Sequence, residues 1–410
     1  MWTRYHLKCD NCNNVTNLRV QIPEKEVLPI RFSCGYCSSE IRANIIVDFE
    51  HIKYSIEVEK GCLIKDMEFN DGDYYLEYSD TLSVGKPSKT PHDQIMPTLR
   101  MDSKDFMIAK TKKDLRMDME DYDWDLFKDL TRSYSKNEQD AYKMILNKII
   151  DDKTIINFNT EIGYHKSFIH VRNMFLNSWI VYDEIEDYKK WLHKKIFTKK
   201  IFLKTDINQY LFIYTDDYID EMQHYICDLI VRFIDMRKYL IYFYGTNSVG
   251  DNYVSEQDFI SIKNYYSDCF EFVGRYSHLV LRLQNIYERG SQNIMPNGVP
   301  KDVVSADIFM NIDSGRKLDI INLCSEVIPK RVFCSFFDNK LRNGINHYKT
   351  IYEEATQIIK YYPITRNPGQ EFTLSYMELL GLSLKAFTAV LKIHELIKFV
   401  KIYEFKMAIK

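Results

Sequence analysis

The chain has 410 residues, with 55 Lys and Arg against 58 Asp and Glu and a formal net charge of −3. That length supports a large core and two or three domains. The near-balanced charge excludes a globally basic surface for non-specific nucleic-acid binding, so any RNA contact would be local, in a cleft. The 30 Tyr and 24 Phe can stack bases, but core packing is their plainer use.

Met1-Trp2-Thr3-Arg4 carries no secretory leader. No apolar run reaches the ~18 residues that a membrane helix requires. The best run, 225–244, is interrupted by Asp228, Arg232, Asp235, Arg237 and Lys238. A cytoplasmic protein without membrane contact is expected.

Two Cys-x-x-Cys pairs, Cys9/Cys12 and Cys34/Cys37, lie 21 residues apart near the N-terminus. Each pair clasps a metal from a tight turn, and two together present four thiolates tetrahedrally to Zn²⁺. A closed four-cysteine site is structural and holds a domain rather than doing chemistry. A redox pair is disfavoured, since the pairs match each other and no βαβ pattern surrounds them. Gly35 and Asn11 are expected to ease the two turns. His6 is a bystander or a group behind the ligands. The ribbon is not notably basic, which favours protein contact or scaffolding. Cys62, Cys227, Cys269, Cys324 and Cys334 read as ordinary buried thiols.

Residues 15–32, 42–49 and 53–58 alternate as strands, and Asn70-Asp71-Gly72-Asp73 reads as a hairpin turn before a strand over 74–78. A zinc ribbon and small β domain are thus expected over 1–82. A connector follows over 83–136. Its acidic stretch 114–129 holds Asp118, Glu120, Asp121, Asp123 and Asp125 around Trp124. It reads as a solvated helix face or docking segment rather than a carboxylate metal site.

From 137 to 410 the apolar period is helical. Helices are expected over 137–151, 164–197, 216–244, 255–289, 317–347 (broken at Pro329) and 374–405, with loops over 245–249 and 290–315. The fold class is α+β multidomain: an N-terminal zinc ribbon with a small β domain, then a mainly α-helical bundle. His165 and His170 would stand about 140° apart on a helix and form no ready metal pair. His394-Glu395 begins like a zinc-protease motif but lacks the second His.

Near the C-terminus, Leu341-Arg342-Asn343-Gly344-Ile345-Asn346-His347 places a guanidinium, an amide and an imidazole close together. An imidazole moves protons near neutral pH and a guanidinium holds phosphate with a fork of N–H donors. On a helix Asn343 and His347 share a face, and Gly344 would permit close approach of another helix. If the turn has no catalytic role, His347 is a helix-end histidine facing the dipole and Arg342 pairs with Asp338. After the motif come a short strand over 357–363, a turn at Asn367-Pro368-Gly369, and a final helix capped by Thr373, with Glu378 deeper in its first turns.

This order resembles the HEPN superfamily of small helical RNases and toxins. The resemblance covers about 216–410 and is specific over about 330–405. Lys349 stands where one variant of the motif has Tyr. The resemblance implies a metal-independent endoribonuclease using Arg342, Asn343 and His347, paired as a homodimer that supplies two imidazoles to one phosphate. It also implies cellular RNA such as tRNA or rRNA as substrate, products ending in 2′,3′-cyclic phosphate, and a role in bacterial antiviral defence or abortive infection. The N-terminal domain would sense a trigger, a protein among the candidates. The alternative is a non-catalytic ribbon-and-helix protein binding protein or RNA partners.

Overall fold

The computed structural model describes residues 2–23, 25–65, 67–68, 72–79, 87–89, 123–150, 160–176, 180–192, 216–240, 254, 258–323, 338–363 and 370–408. Two compact units emerge. One comprises Met1–Arg116, Arg237–Lys263 and Asn343–Gly381, the other Met117–Met236, Asn264–Arg342 and Leu382–Lys410.

The first unit carries strands β1 (Trp2–Lys8), β2 (Val15–Gln21), β3 (Val27–Ser33), β4 (Glu40–Asp48), β5 (Lys53–Lys60), β6 (Cys62–Ile64) and β7 (Tyr74–Tyr78). They form one sheet in the order β6-β1-β2-β7 and a second in the order β3-β4-β5. β4 alternates as its sequence demands: Ile41, Ala43, Ile45 and Val47 are buried, and the residues between them are not. That inner face joins Leu7, Leu18, Val20, Leu28, Ile30 and Phe32 in one core, which is what a period of two produces in a half-buried strand.

Asn70 and Asp71 of the expected hairpin turn lie outside the described residues, and β7 does not pair with the strand before it. β7 pairs parallel with β2, Thr16 facing Tyr74 and Val20 facing Tyr78. Asp73 extends the contact, its N–H reaching the Val15 carbonyl and its carboxylate accepting the Val15 N–H, both at 2.8 Å. Gly72 serves close approach rather than a turn: a Cβ there would sit 2.3 Å from the Asn17 side chain.

A third sheet of the same unit, order β10-β9-β8, is built by β8 (Thr350–Glu353), β9 (Ile358–Tyr361) and β10 (Phe372–Ser375). The sequence showed only the middle strand. The β8–β9 turn is tied to β3: Ser33 Oγ donates to the Ala355 carbonyl at 2.8 Å, and Arg31 pairs with Glu354 at 2.5 Å. Gln357, at φ +52°, clamps Val254 with its side-chain amide, accepting from its N–H (2.9 Å) and donating to its carbonyl (2.7 Å).

The helices are α1 (Trp124–Ser135), α2 (Gln139–Ile149), α3 (Glu161–Leu176), α4 (Ile180–Leu192), α5 (Asp216–Leu240), α6 (Phe259–Arg289), α7 (Ala306–Asn311), α8 (Ser314–Leu323), α9 (Asn339–Asn346) and α10 (Tyr376–Ala408). The helix expected over 164–197 is two helices, α3 and α4. The described end of the acidic segment, within the expected connector, is helical: it forms the start of α1, in keeping with the solvated helix face expected there. Asp123 caps it by accepting the Leu126 N–H at 2.9 Å, and Asp125 and Asp129 pair with Lys128 and Arg132. Carboxylates favour a helix N-terminus; residues 114–122 lie outside the described part. Asn137 at φ +56° closes α1, so α2 starts at Gln139 rather than at 137.

Within the second unit the aromatics form the core. Tyr134 stacks on Phe168 at 3.9 Å, Phe127 on Phe175 at 4.4 Å and Phe233 on Phe387 at 4.3 Å between ring centres. α10 begins at Tyr376 and is capped by Ser375, not Thr373. Ser375 Oγ accepts the Glu378 N–H at 3.1 Å and the Glu378 carboxylate accepts the Ser375 N–H at 2.6 Å, a reciprocal capping box. No helix among the described residues is long and apolar enough to cross a membrane.

Candidate functional site

The four predicted cysteines come together. The Sγ atoms of Cys9, Cys12, Cys34 and Cys37 all lie within 4.8 Å of one another. Cys9 meets Cys37, and Cys12 meets Cys34, at 3.6 Å. That is far beyond a disulfide bond. It is close to the ~3.8 Å edge of a sulfur tetrahedron around a metal with bonds of ~2.3 Å. The residues therefore fit a single metal ion.

Each pair sits at the end of a hairpin, Cys9/Cys12 between β1 and β2, Cys34/Cys37 between β3 and β4. The two turns share one geometry. The fifth residue's N–H reaches the first cysteine's carbonyl, Asn13 to Cys9 at 2.9 Å and Ser38 to Cys34 at 3.0 Å. Both adopt left-handed backbone, φ +63° and +61°. So Asn13 and Ser38 turn the chain, not Asn11 and Gly35 as the sequence suggested. Gly35 is needed for another reason: a Cβ there would lie 2.4 Å from the Tyr74 ring.

Backbone N–H groups of Asn11 and Cys12 point at the Cys9 sulfur, and those of Tyr36 and Cys37 at Cys34. Without metal, burial raises the Cys9 thiol and pushes Cys34 up to about 12, while hydrogen bonds from Ser39 bring Cys37 down to about 6. A metal must displace protons from the raised thiols, so its affinity falls in acid. His6 is no ligand. Its Nε2 meets the Glu68 carbonyl at 3.1 Å.

The Arg342–His347 stretch is α9 and its C-terminal turn. Asp338 caps the helix, its Oδ1 accepting the N–H groups of Lys340 (2.8 Å) and Leu341 (3.1 Å). Its Oδ1 thus serves the backbone, and Arg342 pairs with Glu271 of α6. Arg342 Nε donates to Glu271 Oε1 at 2.6 Å, Nη2 meets the same oxygen, and the guanidinium lies over the Phe270 ring, 5.8 Å from its centre. No sequence signal joined these partners, 71 positions apart.

The helix ends in a Schellman motif. Lys349 N–H reaches the Gly344 carbonyl at 2.8 Å, Tyr348 N–H reaches Ile345, and Tyr348 is left-handed at φ +56°. His347 is therefore the C-cap, exposed to solvent, with its N–H on the Asn343 carbonyl at 3.1 Å. Gly344 lies against strand β9, where a Cβ would come 3.0 Å from Tyr361 Cβ; the close approach it permits is to a strand. Tyr348 is 90% exposed and unfavourable where glycine is preferred. Tyr348→Gly is expected to stabilise the protein by about 0.5–1 kcal/mol, read as a higher urea midpoint with unchanged slope.

His165 and His394, singled out in the sequence, make structural contacts. His165 Nδ1 meets Tyr134 OH at 2.6 Å, and His170 is exposed. His394 and Glu395 share the buried Arg172 guanidinium: Nη1 lies 2.8 Å from His394 Nδ1, and Nη2 meets Glu395 Oε1. Burial pushes the Glu395 carboxyl up, but Arg172 and Lys398 together outweigh it and leave it at about 2; burial and Arg172 take His394 down to about 3.

No protein-family model matches the chain, and neither a curated protein nor a solved structure matches it.

Proposed function

We propose that the protein is a metal-independent endoribonuclease of HEPN type, acting in the cytoplasm on cellular RNA such as tRNA or rRNA. The observation that carries this reading is the His347 imidazole, exposed at the C-cap of α9, with Asn343 and Arg342 on the turn before it. Cleavage through the 2′-hydroxyl needs a base for its proton, an acid for the departing 5′-oxygen, and positive charge for the crowded phosphate. Two copies apposed about a two-fold axis supply both imidazoles. Arg342 holds the phosphate, which must first displace Glu271. Asn343 orients the phosphate or His347. Products end in 2′,3′-cyclic phosphate.

The four-cysteine centre holds Zn²⁺, which all-thiolate tetrahedral sites favour, and stabilises the region that receives a trigger, here read as a protein. A role in antiviral defence of the abortive-infection type follows the resemblance to HEPN proteins and is part of the same proposal. A second reading is a non-catalytic interaction protein. The Arg342–Glu271 pair favours it, since a purely structural arginine would have such a partner.

Expression in a bacterial host separates the two. Wild type is expected to slow growth, and His347→Ala to relieve the slowing with equal protein levels. Equal growth of both strains, with or without slowing, would count against catalysis at this turn.

A further inference from the structure

Strand β5 is an open edge. Among the described residues it is the outermost strand of its sheet and solvent-exposed along most of its length. Tyr54, Ile56 and Val58 stand opposite Val47, Ile45 and Ala43 on the inner face. Ile56 and Val58 pack on the core while remaining half-exposed, and Tyr54 is 40% exposed. Lys53, Ser55, Glu57 and Glu59 take the outer face, where Asn44 Nδ2 donates to Glu59 Oε1 at 2.7 Å. The strand has no proline. Among the described residues its protections are a terminal lysine at each end and a bulge near Glu59, opposite Arg42/Ala43.

We propose that two copies of this chain pair antiparallel through β5, with Ile56 on the two-fold axis. Self-pairing keeps the two inner faces together only if one residue stands opposite itself, because a one-residue slip turns a strand over. Centring on Glu57 sets a carboxylate against its own copy. Centring on Ser55 uses only the strand from Lys53 to Glu57. Centring on Ile56 sets Lys53 against Glu59, Tyr54 against Val58, Ser55 against Glu57 and Ile56 against itself. Every charge meets a neutral or opposite group, and the inner face continues as one apolar strip. Lys53 gains an ion pair only from a strand with an acid at this register, and the chain's own Glu59 supplies it on both sides of the axis, so the occupant is the chain itself.

This pairing stands apart from the apposition of α9 helices proposed for cleavage and is independent of whether RNA is cut. A β-edge interface alone is small, so a dissociation constant on the order of micromolar is expected.

Sedimentation equilibrium of the full-length, metal-loaded protein from about 1 to 100 micromolar tests it. The expected result is an association step, additional to any dimer made through α9, that is weakened about five- to tenfold by Lys53→Glu or by Glu59→Lys and restored to within about twofold when both changes are combined. Lys53→Glu leaves the Asn44–Glu59 contact in place, and restoration by the double variant excludes misfolding as the cause. A monomer throughout would overturn the proposal. So would a dimer indifferent to the single reversals, or one that the double reversal fails to restore.

Discussion

Cys34→Ser is expected to abolish stoichiometric metal binding and to cost the β region roughly 5 kcal/mol or more, since the binding free energy of a structural metal is largely folding free energy. The four thiols are the point where the β1–β2 and β3–β4 hairpins, which belong to different sheets, are joined. Cys34 is itself nearly fully buried. Serine there loses a thiolate and leaves a hydroxyl in an apolar setting. Cys62, exposed and outside the cluster, provides the control: Cys62→Ser should stay within about 0.5 kcal/mol of wild type. Metal per chain by elemental analysis, with thermal unfolding of the same samples, checks both. Full metal content and an unchanged melting temperature in Cys34→Ser would contradict the site.

The second large effect is expected at Arg172. Its side chain is buried in the second unit, where it pairs with Glu395 and His394; Lys398 Nζ lies farther off, 3.7 Å from the other Glu395 oxygen. Arg172→Met removes the closer cation and leaves the buried carboxylate with Lys398 alone, at a cost of up to about 3–5 kcal/mol. Adding Glu395→Met should recover much of that loss, because replacing a whole buried ion pair by apolar groups is far milder than breaking it. Urea unfolding of the single and double variants measures the difference; a single variant as stable as wild type would sink this account.

Buried titratable groups set an acid limit. Burial takes His394 in this network, and His278 beside Tyr218, down to about 3 in the folded chain, against about 6.5 unfolded. Glu395 titrates near about 2 folded, against about 4.3 unfolded. In each case the unfolded chain binds more protons, so stability rises with pH. The histidine contributions are full above about 6.5 and drain away down to about 3, and that of Glu395 drains between about 4.3 and 2. Each group adds up to about 1.4 kcal/mol per pH unit to the slope within its window.

The four-cysteine cluster was legible because its information is local: two cysteines three positions apart fix a turn whatever the rest of the chain does. What Gly35 and Gly72 accommodate was not, because the Tyr74 ring and the Asn17 side chain arrive from other strands. The Asn-Asp-Gly-Asp stretch looked like a hairpin on local turn chemistry, while the partner of β7 is β2, some 58 positions away in their contacts. The cap of α10 could have been found. Ser375 is followed three residues later by Glu378, the capping-box signature, whereas Thr373 is followed by Tyr376. The Arg172 network joins residues more than 220 positions apart and leaves no periodic trace. At the Arg342–His347 turn, the sequence supplied the residue types and the helix. It gave no sign of Glu271, nor that His347 would stand at the cap rather than within the helix.

Incubation of metal-loaded protein with total tRNA and rRNA, in buffer stripped of free divalent cations by a chelating resin, tests the central proposal most directly. Wild type, Arg342→Ala and His347→Ala are compared side by side. The account predicts fragments ending in 2′,3′-cyclic phosphate from wild type alone. Equal cleavage by all three, or none by a wild type that slows growth when expressed, would contradict it.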